Sequence, residues 1–498
     1  MWWLIHVTLV GWLVLCAYLA VFFGLFGLIV LRIFSSHLSP LTSHLVIPAA
    51  WVSLEYLRSH LLSGLGWNLL AYSQTPWHQL IQLADVTGVW GVSFLIVLVN
   101  ASTAELIHVI LTSWQQATRN KRRRRSQKKQ LAQTLGHLGI AVGIVLISFC
   151  YGAWRLQHLE LDPPVRIAVV QGNIPQAEKW DEQYINKIRQ RYTQLTEQAA
   201  RTAPDLIVWP ETSVPGYFGV DEVLTQWVSG LAQTAGRPLL VGAPILAIDH
   251  ARAALHNSAV LVDAQGTIQQ QHDKLHLVPF GEFIPFERAA PWLRKVLPPI
   301  GDFVPGQEYT VFHLGSGLRA EGSGKSGSGF RVVGSWRTSS AQSPEPTTPS
   351  RSSSEPRTQS PELAFSVLVC FEDVFPELAR RFVREGARLL LVITNDAWFG
   401  PTAAAYQHTQ ASTFRAIELR VPVARAANTG WSGCIDATGA WTGSVRDTQG
   451  KELFVEGTHT CDLAIGPVST LYLKWGDWFA FLCLVAAAAS LTIRLRSN

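Results

Sequence analysis

Hydrophobic residues follow two different patterns along the chain. The first is a set of long apolar stretches that meet the roughly 20-residue length a helix needs to cross a bilayer. Four uninterrupted stretches lie at residues 8–33, 88–112, 137–154 and 472–493. A fifth, Leu45–Leu62, contains Glu55 and Arg58, which are three residues apart and can pair on one helix face. The pattern therefore predicts five membrane spans.

The second pattern occupies residues 156–470, where short apolar runs alternate with amphipathic segments. Runs bounded by turn residues predict strands at 165–171, 206–209, 239–242, 258–262, 365–370, 389–394 and 423–427. Apolar residues at helical spacing predict helices at 182–201, 221–235, 377–385 and 407–420. This alternation predicts a layered α/β domain.

One segment of this region has a different composition. Residues Gly315–Pro361 are rich in Gly, Ser, Pro and Thr and contain few large apolar side chains. Such a composition buries too little apolar surface to offset the entropy of folding. We predict a disordered insertion at about 315–361, carried as a surface loop just before the strand at 365–370.

Charge gives the expected orientation. The chain is 48% hydrophobic and only 15% charged, against about 25% in soluble domains. Its net charge of +5 reflects the run Arg119–Lys129, which has eight basic residues and no acid. The positive-inside rule places that run in the cytoplasm, residues 156–470 on the far side and the N-terminus outside. Because the run lies between two apolar stretches, we expect no nucleic-acid partner.

The six cysteines exclude several kinds of site. They form no CxxC pair and no zinc-ligand spacing, so neither a metal nor a cofactor is expected. A chain of this length needs no disulfide framework. We expect Cys434 and Cys461 to be free and buried.

Cys370 is the position with the clearest chemical potential. It ends the predicted strand at 365–370, where a turn opens access to a thiol. A thiol is mostly protonated near neutral pH, so a nucleophilic cysteine needs a base or a cation. Glu211, after another predicted strand, can act as base, and Lys274 can stabilise an oxyanion in acyl transfer. Taken singly, the three are more simply explained as a buried hydrophobe, a turn cap and a solvated cation.

Motifs around these three residues favour a catalytic role over the plainer explanations. They lie at residues 170–176, 179–181, 209–215, 274–285, 370–372, 394–400, 407–408, 415–420 and 428–430, with membrane motifs at 56–58, 64, 67, 72–74 and 88–94. The set resembles the nitrilase, or carbon–nitrogen hydrolase, superfamily and, within it, the apolipoprotein N-acyltransferase family. The resemblance runs in order over nearly the whole chain.

The resemblance implies a fold and a domain order. The fold class is α/β, with a nitrilase-like αββα sandwich and an α-helical transmembrane bundle. Transmembrane helices occupy residues 1–155, the catalytic domain 160–470 and a C-terminal transmembrane helix 471–498. The family implies residence in the bacterial cytoplasmic (inner) membrane, with the catalytic domain in the periplasm.

The resemblance also implies a role for each site residue. Glu211 is the general base, Lys274 the oxyanion stabiliser and Cys370 the nucleophile. The residues implied to support the site are Glu282, Glu372, Phe371 and Trp180, the last at the entrance. Trp398 and Phe399 are implied to control substrate access, although ordinary core packing explains them equally well.

Three departures from the family pattern are visible. Phe371 stands where the family usually has a tyrosine, so a ring is kept and a hydroxyl lost. The family has about eight spans against the five predicted here, which suggests that its N-terminal spans are missing. The insertion at 315–361 has no counterpart.

The implied reaction has two steps. Cys370 takes a fatty acyl chain from a glycerophospholipid, and the thioester passes it to the N-terminal α-amine of a diacylglyceryl apolipoprotein, with membrane lipid around both. Three alternatives remain at this point. They are a membrane-tethered amide or nitrile hydrolase with the same triad, a non-enzymatic envelope scaffold, and an inactive copy.

Overall fold

A computed structural model gives the architecture in side-chain detail. It describes residues 9–492 apart from 35–38, 117–120, 161, 250–251, 286, 288–293, 295–300, 316–362 and 468. Long apolar helices come first and form a bundle, and a two-sheet sandwich follows. The last helix returns to pack on the bundle.

The bundle consists of helices with largely apolar surfaces. Its long helices span Leu9–Phe34, Pro40–His60, Val89–Gln116, Lys121–Gln157 and Trp478–Thr492, and its short ones His78–Ile81, Ala84–Thr87 and Leu471–Trp475. Within three of them, an apolar stretch is long enough to cross a membrane: Leu9–Phe34, Val89–Trp114 and Gln127–Gln157. Large apolar side chains such as Leu28 and Leu146 remain exposed on the outer faces. A surface of this kind suits lipid better than water.

The sandwich contains twelve strands among the described residues. They are β1 Pro164–Gln171, β2 Leu206–Val208, β3 Leu239–Asp249, β4 Arg252–Val262, β5 Ile268–Asp273, β6 Phe312–Leu314, β7 Leu363–Val369, β8 Leu389–Thr394, β9 Val423–Ala427, β10 Gly433–Ile435, β11 Trp441–Ser444 and β12 Gly457–Ala464. One sheet has the order β12-β1-β2-β3-β4-β5 and the other β11-β10-β9-β8-β7-β6. The outer helices are Ile185–Ala200, Glu222–Ala235, Pro376–Arg384 and Ala404–Leu419.

The two sheets bury a shared apolar core between them. Val169 and Val208 from the first sheet lie in one cluster with Val369 and Ile393 from the second. Strands β1, β2 and β3 run parallel, as do β7, β8 and β9, and every residue of β8 is buried. Burial of most of their residues explains why these strands are largely apolar, although β1 contains Arg166 and β9 contains Arg425. The predicted αββα sandwich is confirmed.

The predicted elements of the sandwich are confirmed, with boundaries shifted by a few residues or, in β3 and β4, by more. Five strands were not predicted from the sequence: β5, β6, β10, β11 and β12. Four of these five, β5, β6, β11 and β12, are edge strands, and β10 lies next to an edge. Polar residues fill most of the partly exposed positions of β5 and β12. The predicted insertion at 315–361 lies, apart from Gly315, outside the described residues. In the basic run, residues 119–120 lie outside them too, and the remainder begins the helix Lys121–Gln157.

Two membrane predictions need correction in detail. The predicted span at 472–493 is interrupted, because Gly476 adopts a left-handed backbone conformation between two helices. Glu55 and Arg58 turn to the backbone of the next loop rather than to each other. Glu55 accepts a hydrogen bond from the Leu70 amide at 2.7 Å, and Arg58 donates to the Trp67 carbonyl at 3.3 Å.

The expectation that Cys434 and Cys461 are free is wrong. They form a disulfide that joins β10 of one sheet to β12 of the other, with Cα atoms 6.6 Å apart. Both residues are buried, as expected. Sequence spacing gave no hint of the pairing, because the two strands meet only through the packing of the sheets.

Buried charges join the bundle to the sandwich. Asp85, only 2% exposed, accepts hydrogen bonds from the Tyr151 hydroxyl at 2.7 Å and from Arg155 at 2.9 Å. Arg420, at the end of the outer helix Ala404–Leu419, reaches the same carboxylate at 2.7 Å. Glu418 accepts from the Val89 amide at 2.9 Å. The nearest outer helix of the sandwich is thus fixed directly to the bundle.

Replacing Asp85 by asparagine is expected to weaken this junction. Asp85→Asn leaves Arg420 buried without its carboxylate, which should lower the free energy of unfolding by about 3–5 kcal/mol. Thermal unfolding of the full chain in detergent measures the loss. Glu197→Gln, at an exposed position, is the matched control. Equal stability of both variants and the parent chain would show that Asp85 does not hold the junction.

Candidate active site

Cys370 lies at the carboxyl end of β7, in the first residue of a tight turn. Its backbone is left-handed, with φ at +55°, which is uncommon for a residue with a side chain. The turn Cys370–Val374 directs the chain away from the sheet, and the cysteine is the first residue after β7 that is not fully buried. Strained backbone of this kind is typical of functional positions.

Glu211 follows β2 and lies at the same end of the sandwich. The chain there passes so close to β3 that a Cβ atom on Gly242 would lie 2.7 Å from the Glu211 Cα atom, besides meeting the Pro210 carbonyl. Only glycine leaves room for this approach. The Asn257 amide donates to Glu211 Oε1 at 2.7 Å and holds the carboxylate in place.

Lys274 lies between two carboxylates. Its Nζ atom is 3.4 Å from Glu211 Oε1 and 2.9 Å from Glu282 Oε2, and the side chain is 1% exposed. Burial lowers the pKa of Lys274, but Glu282 and Glu211 outweigh it and raise the pKa above its usual value. Lys274 is therefore a fixed positive charge, the property that an oxyanion stabiliser needs.

The surroundings of the thiol keep it protonated at rest. Burial, followed by the Glu211 carboxylate, raises the pKa of Cys370, while Lys274 lowers it. The Thr394 side chain also lowers the pKa of the thiol. Because a thiolate does not form by itself here, the proton needs an acceptor, and Glu211 is a carboxylate whose charge acts on the thiol.

Glu372 connects the turn Cys370–Val374 to the loop that begins at Lys274. Its Oε1 atom accepts from the Leu275 and His276 amides at 2.7 and 2.9 Å, and its Oε2 atom accepts from the Val369 amide at 2.7 Å. The side chain is fully buried. One carboxylate thus fixes the relative position of two segments that are about a hundred residues apart in the sequence.

Two residues near the proposed triad were not predicted from the sequence to be site residues. Asn257, on β4, bridges Glu211 and Glu282 with bonds of 2.7 and 2.8 Å. Lys179 donates to the Glu211 carbonyl at 2.9 Å, and burial lowers its pKa to about 8. The motif around Lys179 was a signal that could have found it, whereas nothing in the sequence marked Asn257.

A buried charge network lies behind Cys370. His408 contacts Asp373 at 2.8 Å and Asp396 at 3.0 Å, and its Nε2 atom is 3.2 Å from the Cys370 carbonyl. Arg425 reaches both carboxylates, at 3.0 and 3.2 Å. The protonated imidazole of His408 donates a hydrogen bond to the Cys370 carbonyl, so the network supports the strained backbone of Cys370.

Comparison with known proteins identifies the family. The carbon-nitrogen hydrolase family model matches residues 166–458, and the apolipoprotein N-acyltransferase N-terminal domain model matches residues 1–102. An apolipoprotein N-acyltransferase of Geobacter metallireducens is 33% identical, over 99% of this chain and 82% of the relative. The chain belongs to the apolipoprotein N-acyltransferase family. A relative with that name from Chlorobaculum tepidum is 26% identical, over 100% of this chain and 85% of its own.

Solved structures resemble the sandwich more distantly. An amidase from Nesterenkonia sp. aligns with 65% of this chain and 97% of its own, at 18% identity and a TM-score of 0.38. A likeness of this size carries no argument about the site. Membership of the acyltransferase family therefore rests on the sequence relatives and the family models.

The residue that departs from the family pattern faces the bundle. The ring of Phe371 lies 6.4 Å from Trp67 and 5.1 Å from Phe375, within an apolar cluster shared by the bundle and the sandwich. Of the residues predicted at the entrance, Trp180 is 53% and Trp398 54% exposed. Phe399 instead packs edge-on against Trp67 at 5.5 Å. Phe371 and Phe399 therefore belong to the apolar cluster that the bundle and the sandwich share.

The His408 network predicts a pH dependence. Burial and Arg425 lower the pKa of His408, but Asp373 and Asp396 outweigh them and raise it to about 8. A raised histidine pKa stabilises the folded state fully below the unfolded value of about 6.5, and this stabilisation is lost as the pH rises through 8. We expect the loss of about 2 kcal/mol across that window, since one pKa unit corresponds to about 1.4 kcal/mol.

Unfolding curves at pH 6 to 9 measure this effect. His408→Gln should be less stable at pH 6 and should show a flatter dependence on pH than the parent chain. His158→Gln, at an exposed position, is the control and should keep the parent profile. An unchanged slope in His408→Gln would mean that another group titrates.

Proposed function

We propose that this chain transfers a fatty acyl chain from a glycerophospholipid, through a thioester on Cys370, to the N-terminal α-amine of S-diacylglyceryl-cysteine in apolipoproteins. The relatives that bear the apolipoprotein N-acyltransferase name support the reaction class. One observation carries the proposal furthest. The turn that bears Cys370 packs, through Phe371, against Trp67 in the loop after the helix Pro40–His60, which supports a thiol close to the apolar bundle and its lipid surroundings.

In the first step, the Glu211 carboxylate accepts the thiol proton as the Cys370 sulfur attacks the ester carbonyl of the phospholipid. The negative charge that develops on the carbonyl oxygen is stabilised by the Lys274 ammonium. The intermediate collapses to the thioester, and the glycerol oxygen leaves with the proton held by Glu211. The products of this step are the acyl-enzyme and a lysophospholipid.

In the second step, the neutral α-amine attacks the thioester carbonyl. An α-amino group has a pKa of about 8, so a sizeable fraction is already unprotonated near neutral pH. Glu211 accepts the proton that the nitrogen loses as the amide forms, and passes it to the departing Cys370 sulfur. Lys274 again stabilises the oxyanion, and the free enzyme is regenerated.

The lipid substrates explain why the site lies against a bundle. Each buried CH₂ contributes about 0.8 kcal/mol to membrane binding, so neither substrate readily leaves its leaflet for a soluble enzyme. The exposed ring of Trp398 is of the type that favours the membrane interface. The positive-inside rule supports a periplasmic position for the sandwich in the cytoplasmic membrane.

Acyl transfer by the purified full chain tests the proposal. Phospholipid vesicles with a labelled acyl chain are mixed with a diacylglyceryl-cysteine peptide. The expected products are an N-acylated peptide and an equal amount of lysophospholipid. A peptide whose α-amine is acetylated is the control and should remain unlabelled. Release of free fatty acid at the same rate with and without peptide would instead identify a hydrolase that uses water as acceptor.

A further inference from the structure

A group of three metal-ligating side chains lies inside the bundle, on three different helices. His44 belongs to Pro40–His60, Glu105 to Val89–Gln116 and His137 to Lys121–Gln157. Their donor atoms all lie within 4.8 Å of one another. None of these three residues takes part in the proposed acyl transfer.

The spacing of the donor atoms fits a tetrahedral ion. Glu105 Oε2 is 3.0 Å from His44 Nε2 and 3.2 Å from His137 Nδ1. A tetrahedral zinc ion with ligand bonds of about 2.0–2.1 Å has donor atoms about 3.3 Å apart. The two imidazole rings lie 4.3 Å apart. Each presents one nitrogen to the same atom, Glu105 Oε2. Small adjustments of these side chains would enclose an ion.

The position of the cluster separates it from the active site. Arg58 and Val89 belong to the part of the bundle that faces the sandwich. His44 lies fourteen residues before Arg58 on the same helix, and Glu105 lies sixteen residues after Val89 on another helix. At 1.5 Å per residue these intervals are roughly 21 and 24 Å. The three helices therefore bring their ligands to one level, in the half of the bundle away from the sandwich.

The surroundings favour an ion over solvent. The side chains of His44 and His137 are 8% and 10% exposed, and that of Glu105 is 24% exposed. Ionisable groups within spans are expensive unless they are paired, and they mark functional positions. Thr134, one turn before His137, is fully buried, and its hydroxyl has no hydrogen-bond partner among the described residues. That hydroxyl can hold a water molecule in the fourth position.

We propose that His44, Glu105 and His137 form a binding site for a divalent zinc ion that joins three helices of the bundle. Two imidazoles and one carboxylate are a donor set typical of zinc, with one position left for water. Sequence spacing could not reveal the site, because each ligand comes from a different helix. The site is independent of the proposed acyl transfer.

Metal analysis of the full chain in detergent tests this proposal. The protein is stripped with a chelator, reloaded with Zn²⁺ or Co²⁺ alone, and freed of excess ion. We expect one equivalent of zinc per chain and a Co²⁺ visible spectrum typical of four-coordinate nitrogen and oxygen ligation, without thiolate bands. His44→Ala and Glu105→Gln should lower the affinity by more than about tenfold, since even outer-sphere changes cost that much.

The matched control is His108→Ala, on the same helix as Glu105 but exposed on its outer face. It should retain the full equivalent. A chelator should also lower the thermal midpoint of the parent chain, a readout that needs no variant to fold. Zinc retained equally in His44→Ala and the parent chain would overturn the proposal. So would the absence of bound zinc and cobalt in the parent chain, which would leave a hydrogen-bonded clamp between helices.

Discussion

The Cys370→Ala variant is expected to form no acyl-enzyme with labelled phospholipid and to release no lysophospholipid. The sulfur is the strongest nucleophile in the turn Cys370–Val374, and its charge interactions with Glu211 and Lys274 link it to the proposed base and oxyanion stabiliser. Removing the nucleophile of a catalytic triad lowers turnover by about six orders of magnitude. Trapping of the labelled chain, followed by hydroxylamine release of the thioester, measures the effect.

Cys150→Ala is the matched control, because Cys150 is a free and exposed cysteine on the helix Lys121–Gln157. It should label like the parent chain. Both variants should unfold at nearly the parent temperature, since Cys370 is only partly buried. A thioester that persists in Cys370→Ala would place the nucleophile on another residue.

The Glu211→Gln variant is expected to slow formation of the acyl-enzyme by about 10²–10⁴-fold, the usual contribution of a general base. The amide keeps the shape of the side chain but accepts no proton. Because burial holds the pKa of the Cys370 thiol above its usual value, few thiolates form without a base. The residual rate should therefore rise about tenfold per pH unit, as the thiol ionises unaided.

Single-turnover acylation at several pH values measures both the loss and the slope. Glu282→Gln is the informative comparison, since Glu282 shares Lys274 and Asn257 with Glu211 and follows the lysine in sequence. It should disturb the position of Lys274 while leaving the base, so its loss should be smaller and its pH profile parallel to that of the parent chain. An unchanged acylation rate in Glu211→Gln would remove Glu211 from the role of base.

The sequence was sufficient for the elements that are governed by local pattern. Most residues of the central strands β1, β7, β8 and β9 are buried and apolar, which makes these strands recognisable in the sequence even though Arg166 interrupts β1 and Arg425 interrupts β9. Edge strands such as β5 and β12 lack a continuous apolar pattern, because solvent takes the place of a neighbouring strand on one side. The proposed triad was predicted from its motifs, since an isolated cysteine, glutamate or lysine has several plainer explanations.

What the sequence could not give depends on tertiary contact. The bridge between Cys434 and Cys461 exists because two sheets face each other, and Asn257 reaches Glu211 from another strand. His408 lies on an outer helix and acts on Cys370 only through the fold. Partners of this kind leave no spacing in one chain, since the distance between them is set by packing.

The helix Ala404–Leu419 has a consequence for the movement of substrates. Near one end, His408 supports the nucleophile turn, and at the other, Glu418 and Arg420 are bound to the bundle. The ten residues from His408 to Glu418 correspond to about 15 Å of rigid helix. One continuous helix thereby ties the turn that bears the thiol to the bundle. In the proposed reaction we therefore expect the distance between the sulfur and the bundle to stay fixed, so that the ester bond of the lipid has to move to the sulfur.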